Sequence, residues 1–363
     1  MHQYHINTLG IGAFASAFYL GYAIFQLPGG YLLDNIPFKP LFAISVLLCS
    51  ISYAAFLFAH QFWLGYLLRV VIGITSALSF MGILFIARTT LSANAFTLIA
   101  GLAISIGTVA ASCVQIIGVW LMHHWAWQWA LSVFALLGII IALLFLCVPT
   151  IKTHRITTLS LKGVIQQSVQ FLKNPLLIYN ALIGSLFYLP TTLFASLWGV
   201  PFLIQTKAFT QTEATFSIFL LFLGWTIGAP LMSLAANQLT RTHRLLQLFA
   251  SLALVIALLL LYAPLHQHFI IQLLVFALGL ASSAQAVVWK LFDKYCPATI
   301  NGVGLAWTNM LIMISGTVFH VCVGYLLTLH WLKVGHHFNY ALGLAIIPLA
   351  FFIVAFAAKQ LKE

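Results

Sequence analysis

The feature that most constrains this chain is a succession of long apolar runs separated by short polar stretches. Each run approaches or exceeds the ~20 residues that an α-helix needs to cross a bilayer. The runs do not alternate between apolar and polar residues, as the strands of a membrane barrel do. We therefore predict an all-α, polytopic membrane protein. Eleven spans are predicted, at residues 9–33, 40–59, 62–87, 96–122, 127–149, 176–204, 214–238, 245–263, 269–292, 302–329 and 339–358.

Composition supports the same conclusion. The 363 residues are 63% apolar and 5% charged, against roughly 45–50% and about 25% in soluble domains. So few charged side chains could not solvate a globule of this size, which excludes a soluble enzyme. The net charge of +11 is then no sign of a nucleic-acid partner, and the placement of the charges carries the information. The five cysteines form no CxxC pair, and we expect neither a metal site nor a cofactor.

One long polar connection divides the chain. Residues 150–175 contain four basic residues and apolar side chains spaced for an amphipathic helix on the membrane surface. We therefore expect an N-terminal bundle of five helices at 1–149, a cytoplasmic linker at 150–175 and a C-terminal bundle of six helices at 176–363.

The basic residues predict the orientation, because cytoplasmic loops are rich in lysine and arginine. With the linker inside, twelve basic residues fall on the inner side: Lys39, Arg88, Lys152, Arg155, Lys162, Lys173, Arg241, Arg244, Lys290, Lys294, Lys359 and Lys362. Only Lys207 and Lys333 fall in outer loops. The N-terminus is predicted outside and the C-terminus in the cytoplasm.

Histidine shows the opposite distribution, with ten of the thirteen on the predicted outer side. One interpretation is a pH-sensing outer face, because histidine titrates between about pH 5 and 8. The simpler one, which we favour, is that histidine serves there as a polar residue compatible with membrane insertion. The ten are His2, His5, His60, His123, His124, His266, His268, His330, His336 and His337.

A charged motif follows the first span, where Gly30, Asp34 and Lys39 stand in the segment GGYLLDNIPFK. A degraded copy follows the seventh span, with Asn237 in the place of the aspartate and Arg241 after it. Two copies at equivalent places are typical of a transporter built from repeats. We predict that these residues, together with Arg88 at the inner end of the third span, latch one helix bundle against the other. Two interpretations of Arg88 stay open: it meets Asp34, or it is an interfacial anchor that needs no partner.

These motifs resemble signatures of the major facilitator superfamily. The first is similar to its loop signature, although Asn35 stands where a basic residue is usual and Pro37 where glycine is usual. In the third span, Arg69 and Gly73 match its RxxxG signature, and Ser76 lies on the same helical stripe. Two interpretations of Arg69 stay open: it binds an anionic substrate group, or it extends to the outer interface as a structural residue.

The resemblance implies two bundles that rock about a central cavity, and it implies twelve spans. Here the loop signature follows the first span rather than the second, so the family's first helix is expected to be missing. A start placed too far downstream and a truncated relic both explain this, and we favour the former. The fourth span lacks the GxxxGPxxGG-like element of drug exporters, which favours an uptake carrier. The segment LWGVP that begins at Leu197 resembles a branch of bacterial facilitators related to organic-anion symporters and lysosomal dipeptide carriers.

Polar residues within the later spans are candidates for substrate contact. Pro190 interrupts the sixth span, and such broken helices line cavities in transporters. No carboxylate is predicted near the middle of the membrane, so proton coupling would use His320 or interfacial acids, or be absent. The candidate substrate-binding residues are Arg69, Ser76, Tyr188, Thr191, Trp198, Gln285, Asn309 and His320.

The sequence thus predicts a secondary active or facilitative transporter in a bacterial inner membrane, acting as a monomer and not as an enzyme. The substrate class is a small polar or anionic metabolite: an organic anion, an amino acid or dipeptide, or a sugar-like compound. One alternative is a non-transporting relic or scaffold. Another, prompted by the HHWAWQW segment that begins at His123, is a haem-handling or intramembrane enzyme, but aromatic residues are common at membrane interfaces.

Overall fold

The computed structural model describes residues 6–124, 126–147, 160–328 and 336–361. Over these ranges, eleven helices are long and apolar enough to cross a membrane, as predicted. Eight of the spans are each a single continuous α-helix, and in one of these, the tenth, a short 3-10 turn precedes the helix. These eight spans are Thr8–Asn35, Phe38–Phe56, Phe62–Thr90, Ala93–His124, Trp127–Cys147, Gln211–Gln238, Thr242–Tyr262 and Asn301–Thr328.

The sixth, ninth and eleventh spans are interrupted. The sixth consists of an α-helix at Pro175–Phe187, a π-helix at Pro190–Trp198 and an α-helix at Gly199–Lys207. In the ninth, a 3-10 turn at Ser283–Ala286 separates helices His268–Ser282 and Val287–Tyr295. The eleventh comprises His336–Gly343 and Ile346–Ala357, with a last turn at Ala358–Gln360.

The linker contains the predicted helix, which runs Leu161–Leu172. Ser160 begins it by accepting a hydrogen bond from the backbone N–H of Gly163 at 3.1 Å. Phe171 is buried, whereas Leu161 and Ile165 are exposed, as expected of a helix lying on a membrane surface. The first part of the predicted linker, residues 150–159, lies outside the described residues. We call the spans before this helix the N-terminal bundle and those after it the C-terminal bundle.

Glycines bring matching pairs of spans into backbone contact within each bundle. In the N-terminal bundle, Gly21 lies against the Val70 carbonyl and Gly73 against the Phe18 carbonyl. In the C-terminal bundle, Gly224 lies against Phe276, and Gly279 against the Leu221 carbonyl. Small residues permit this close approach of membrane helices.

The positions of two of these glycines support an internal repeat. Gly21 stands 13 residues before Asp34, and Gly224 stands 13 residues before Asn237. The first and seventh spans therefore carry both the crossing glycine and the loop motif in the same register. The predicted repeat thus extends from the loops into the helix crossing.

The bundles meet along two pairs of spans. The first and tenth spans are in contact near both ends, where Gly12 lies against the backbone of His320 and Gly30 lies against Gly302. The fourth and seventh spans meet where Gly101 contacts Ser233, and Ser105 donates a hydrogen bond to the Thr226 carbonyl at 2.6 Å. We call the end that carries Asp34 the basic end and the other the opposite end.

Candidate functional site

A cavity of about 270 Å³ lies between the two bundles. Its walls come from the first, third and fourth spans on one side and from the sixth, seventh, ninth and tenth on the other. The lining residues are Phe18, Tyr19, Tyr22, Phe80, Ala103, Ile104, Gly107, Thr108, Ala111, Tyr188, Thr191, Phe222, Gln285, Asn309 and Met313.

Two of the interrupted helices border this cavity. Pro190 has no backbone N–H, and the sixth span widens there into the π-helix that contains Thr191. Gln285 lies in the 3-10 turn of the ninth span. Irregular backbone within a membrane is tolerated where protein or a cavity satisfies the freed groups. Both interruptions therefore direct a polar side chain towards the same space.

Three polar atoms of the lining residues are buried without a hydrogen-bond partner. They are Thr191 Oγ1, Gln285 Oε1 and Asn309 Oδ1. Buried polar groups are nearly always hydrogen-bonded, so three unpartnered atoms around one cavity indicate groups that a ligand can satisfy. All three belong to the C-terminal bundle.

A buried network fixes Asn309 across the bundle interface. Its Nδ2 donates to Gln26 Oε1 at 3.1 Å and to Tyr22 Oη at 3.4 Å. Gln26 and Asn309 are 0% and 1% exposed. Because Nδ2 is held by the first span, the free Oδ1 of Asn309 is the atom available to a ligand.

The N-terminal bundle supplies a different chemistry. Phe18, Tyr19, Tyr22 and Phe80 present aromatic rings to the cavity. No lysine, arginine, histidine or carboxylate is among the residues that line it. The site thus combines aromatic surfaces on one side with uncharged hydrogen-bonding groups on the other.

Of the eight predicted binding residues, four line the cavity: Tyr188, Thr191, Gln285 and Asn309. Ser76 and Trp198 do not. Ser76 Oγ lies 3.7 Å from Cys49 Sγ, between the second and third spans. Trp198, at the end of the π-helix, packs within the core of the C-terminal bundle.

His320 and Arg69 lie nearer the opposite end, outside the cavity wall. His320 is fully buried, and its Nε2 lies 3.3 Å from Ser196 Oγ. The ring of Tyr19, which lines the cavity, is 5.4 Å from the His320 ring between centroids. His320 thus connects the first, sixth and tenth spans. Arg69 borders a separate, smaller cavity.

At the basic end, the bundles are joined by an ion pair between Arg88 and Asp293. Arg88 Nε lies 3.0 Å from Asp293 Oδ1, and its Nη2 donates to the Cys296 carbonyl at 2.7 Å. We expected Arg88 either to meet Asp34 or to need no partner, and the ninth span provides its partner instead. The two residues are 205 positions apart in the chain, so no local pattern indicated this pair.

The two copies of the loop motif contact the opposite bundle at equivalent places. Asp34 lies against Gly302, where a Cβ would come within 2.6 Å of its Oδ1, at the start of the tenth span. Asn237 Nδ2 donates to the Asn94 carbonyl at 3.0 Å, at the start of the fourth span. Lys39 is partly exposed and Arg241 is exposed.

The aromatic wall of the N-terminal bundle was missed by sequence reasoning. Aromatic side chains in apolar runs look alike whether they face lipid or a cavity. One signal was present, because Gln26 stands one turn after Tyr22 in an otherwise apolar stretch. A buried amide needs a partner, which marks this face as turned towards protein.

Across the described ranges, no group of three histidine, cysteine or acidic side chains could hold a metal ion.

Comparison with known proteins agrees with a two-bundle membrane transporter. Residues 1–320 match the family model of the Major Facilitator Superfamily. Comparison with curated protein sequences returns no match.

Among solved structures, a variant of the E. coli fucose:proton symporter FucP is similar with a TM-score of 0.71 and 15% identity, covering 98% of this chain and 91% of that one. FucP in the outward conformation gives 0.67 and 15%, over 100% and 92%. The human organic anion transporter MFSD10 gives 0.63 and 14%, over 94% and 83%. At these identities the likeness shows the fold. The chain belongs to the Major Facilitator Superfamily and is a membrane transporter rather than an enzyme.

Proposed function

We propose that this protein transports a small, uncharged, hydroxyl-bearing solute, of the sugar-like class, by alternating access between its two bundles. The observation that carries the proposal is the trio of unpartnered atoms on Thr191, Gln285 and Asn309. Each of them can bond a hydroxyl group, and a solute that lacked hydroxyls would leave them unsatisfied.

The absence of charge in the lining separates this class from the others considered. An organic anion or a zwitterion bound among uncharged groups would lose its hydration without an ion-pair partner, which is costly. The aromatic rings of Phe18, Tyr22 and Phe80 suit the apolar faces of a small solute. The volume of about 270 Å³ is slightly below the range of ~300–1,000 Å³ that holds drug-sized ligands. One similar structure is a fucose:proton symporter, which agrees with this class.

Uptake into proteoliposomes tests the proposal. We expect radiolabelled L-fucose or D-glucose, but not lactate or glutamate, to accumulate or exchange. Gln285→Leu and Asn309→Leu should each lower uptake at least ten-fold, since each removes a hydrogen bond to solute and leaves the solute's own group unpaired. Gln166→Leu is the matched control, because Gln166 is an exposed amide on the linker helix. Uptake of the anions alone would contradict the proposal.

Proton coupling is a second part of the proposal, assigned to His320. The groups that face it are Ser196 from the sixth span and Tyr19 from the first, and Arg69 on the third span is the cation whose charge reaches it. His320→Gln should abolish the stimulation of uptake by an inward proton gradient while solute exchange continues. Stimulation that persists in the variant would contradict the assignment, and no stimulation in the parent would indicate a uniporter.

We further propose that the basic end faces the cytoplasm of a bacterial cell and that the protein works as a monomer. The excess of basic residues at this end supports the orientation, and the enclosure of the cavity by a single chain supports the monomer. A cysteine introduced at Gly163 should react with an impermeant maleimide only after the cells are permeabilised. Labelling in intact cells would reverse the orientation.

A further inference from the structure

A second cavity lies within the N-terminal bundle, near the opposite end. It has a volume of about 90 Å³ and is lined by Phe18, Tyr53, Phe56, Arg69, Ile72 and Leu131. These residues come from the first, second, third and fifth spans. Phe18 lines both this cavity and the central cavity, and its ring lies between them. The small cavity has one charged wall, formed by Arg69.

Arg69 has no counterion in the part of the chain that the structure describes. Its Nε is buried without a hydrogen-bond partner, and its guanidinium carbon lies 5.1 Å from the centre of the Phe14 ring. Of the described acids, Asp34 and Asp293 lie at the basic end, and Glu213 is bonded to Thr210 and His268. Arg69 is partly buried, and a cation–π contact alone offsets only part of the cost of removing its charge from water.

The walls of the cavity indicate which ligand would supply the missing charge. The guanidinium group is a planar, weakly hydrated set of donors, and the other walls are aromatic or aliphatic with the single hydroxyl of Tyr53. At ~30 Å³ for each water, the space holds about three waters. A metabolite would not fit, and strongly hydrated phosphate or sulfate would lose most of its hydration there. A weakly hydrated monovalent ion such as a halide fits both the size and the polarity.

We propose that Arg69 and its cavity form a binding site for a small inorganic anion of the chloride class, separate from the solute cavity. The anion neutralises the partly buried guanidinium and stabilises the packing of the first, second, third and fifth spans around it. This proposal does not depend on the identity of the transported solute.

Chloride binding to the purified full chain tests it directly. In detergent at constant sodium concentration and ionic strength, the ³⁵Cl NMR line should broaden on addition of protein and narrow again as bromide displaces chloride. Replacing gluconate by chloride should also raise the midpoint of thermal unfolding in a saturable way. Acetate should not substitute for chloride, because its methyl and carboxylate groups together demand more space and more hydration.

Substitutions identify the site. Arg69→Gln should abolish both the broadening and the chloride-dependent rise, and Arg69→Lys should weaken binding about ten-fold, since lysine lacks the planar fork. Arg244→Gln is the matched control, because it removes the same charge from an exposed position, and it should leave both signals intact. If Arg69→Gln does not fold, Leu131→Phe fills the cavity and keeps the charge, and it should remove the broadening.

Three results would overturn the proposal. The first is a ³⁵Cl line that the parent protein does not broaden, or that bromide does not narrow again. The second is equal broadening by Arg69→Gln and the parent. The third is an equal rise in the unfolding midpoint with acetate and with chloride.

Discussion

The first and third spans of the N-terminal bundle cross at Gly21 and Gly73, and the seventh and ninth spans of the C-terminal bundle cross in the same way at Gly224 and Gly279. Away from these crossings the bundles differ. Within an 18-residue apolar window of each span, 28% of the fourth and 17% of the fifth span are buried, against 39% of the tenth and 50% of the eleventh, which are their equivalents in the C-terminal bundle. The crossings thus retain the repeat, whereas the surfaces around them have diverged.

The fourth span shows the difference most clearly. Apart from their chain neighbours and the backbone of their own helix, no described atom lies within 4 Å of the place where a Cβ on Gly107 or Gly118 would stand. In the tenth span, Gly316 contacts the ring of Tyr19 and Gly324 contacts the Thr8 carbonyl. Gly107 and Gly118 therefore leave open space, whereas Gly316 and Gly324 permit contact between helices, as Gly101 does in the fourth span.

The largest effect is expected from filling the two crossings. A Cβ on Gly73 would lie 2.8 Å from Tyr22 N, and one on Gly279 would lie 2.9 Å from the carbonyl carbon of Leu221. Gly73→Leu and Gly279→Leu should each remove most of the folded protein, because backbone cannot yield as a side chain can. The measure is the monodisperse fraction in size-exclusion chromatography. Gly118→Leu is the control and should fold normally. An equally large loss of the monodisperse fraction in this control would show that leucine is tolerated no better outside the crossings than within them.

An intermediate effect is expected from the ion pair at the basic end. The Arg88 and Asp293 side chains are 8% and 24% exposed, so removal of one partner should cost about 1.5–3 kcal/mol, reduced by water at Asp293. Arg88→Gln should therefore open the basic end more often. Cys296 reports this opening, because it lies beside the pair, and its burial raises the pKa of its thiol.

With the other cysteines replaced by alanine, an impermeant thiol reagent should label Cys296 about ten-fold faster in Arg88→Gln than in the parent. Lys294→Gln removes a neighbouring charge and should leave the rate unchanged. A double variant that exchanges the two charges, Arg88→Asp with Asp293→Arg, should recover part of the slow labelling. If the exchange labels as fast as Arg88→Gln, the pair does not hold the bundles together.

The smallest effect is expected at the second copy of the loop motif. Asn237→Ala removes one neutral, exposed hydrogen bond to the Asn94 carbonyl. Its exposure puts the contribution at about 0.5–1 kcal/mol, the lower part of the usual range, so the labelling of Cys296 should rise about two- to five-fold. Asn237→Asp should be worse than alanine, because a carboxylate cannot donate to a carbonyl and repels it. If Asn237→Asp instead slows the labelling of Cys296, the two copies of the loop motif bind the opposite bundle in the same way, and the bundles do not differ at this place.

The sequence predicts the fold well and the site in part. Span number and the linker helix follow from run length and periodicity, which are local properties. Thr191 and Gln285 were identifiable because a polar residue in a membrane span needs a partner. Asp293 could not be identified as the partner of Arg88, because a contact between the third and ninth spans depends on how the bundles dock. Trp198 was misassigned for a similar reason, since proximity to Pro190 in sequence does not determine which way a ring points.

The π-helix at Pro190–Trp198 has a geometric consequence for the sixth span. A π-helix holds more residues in each turn than an α-helix, so a change from π to α winding moves the surplus residue along the chain. Each residue of an α-helix turns about 100° around its axis. Such a change would rotate Thr191 out of the solute cavity with little translation of the span. For the solute class proposed above, this local rewinding would bind or release a hydroxyl group at Thr191.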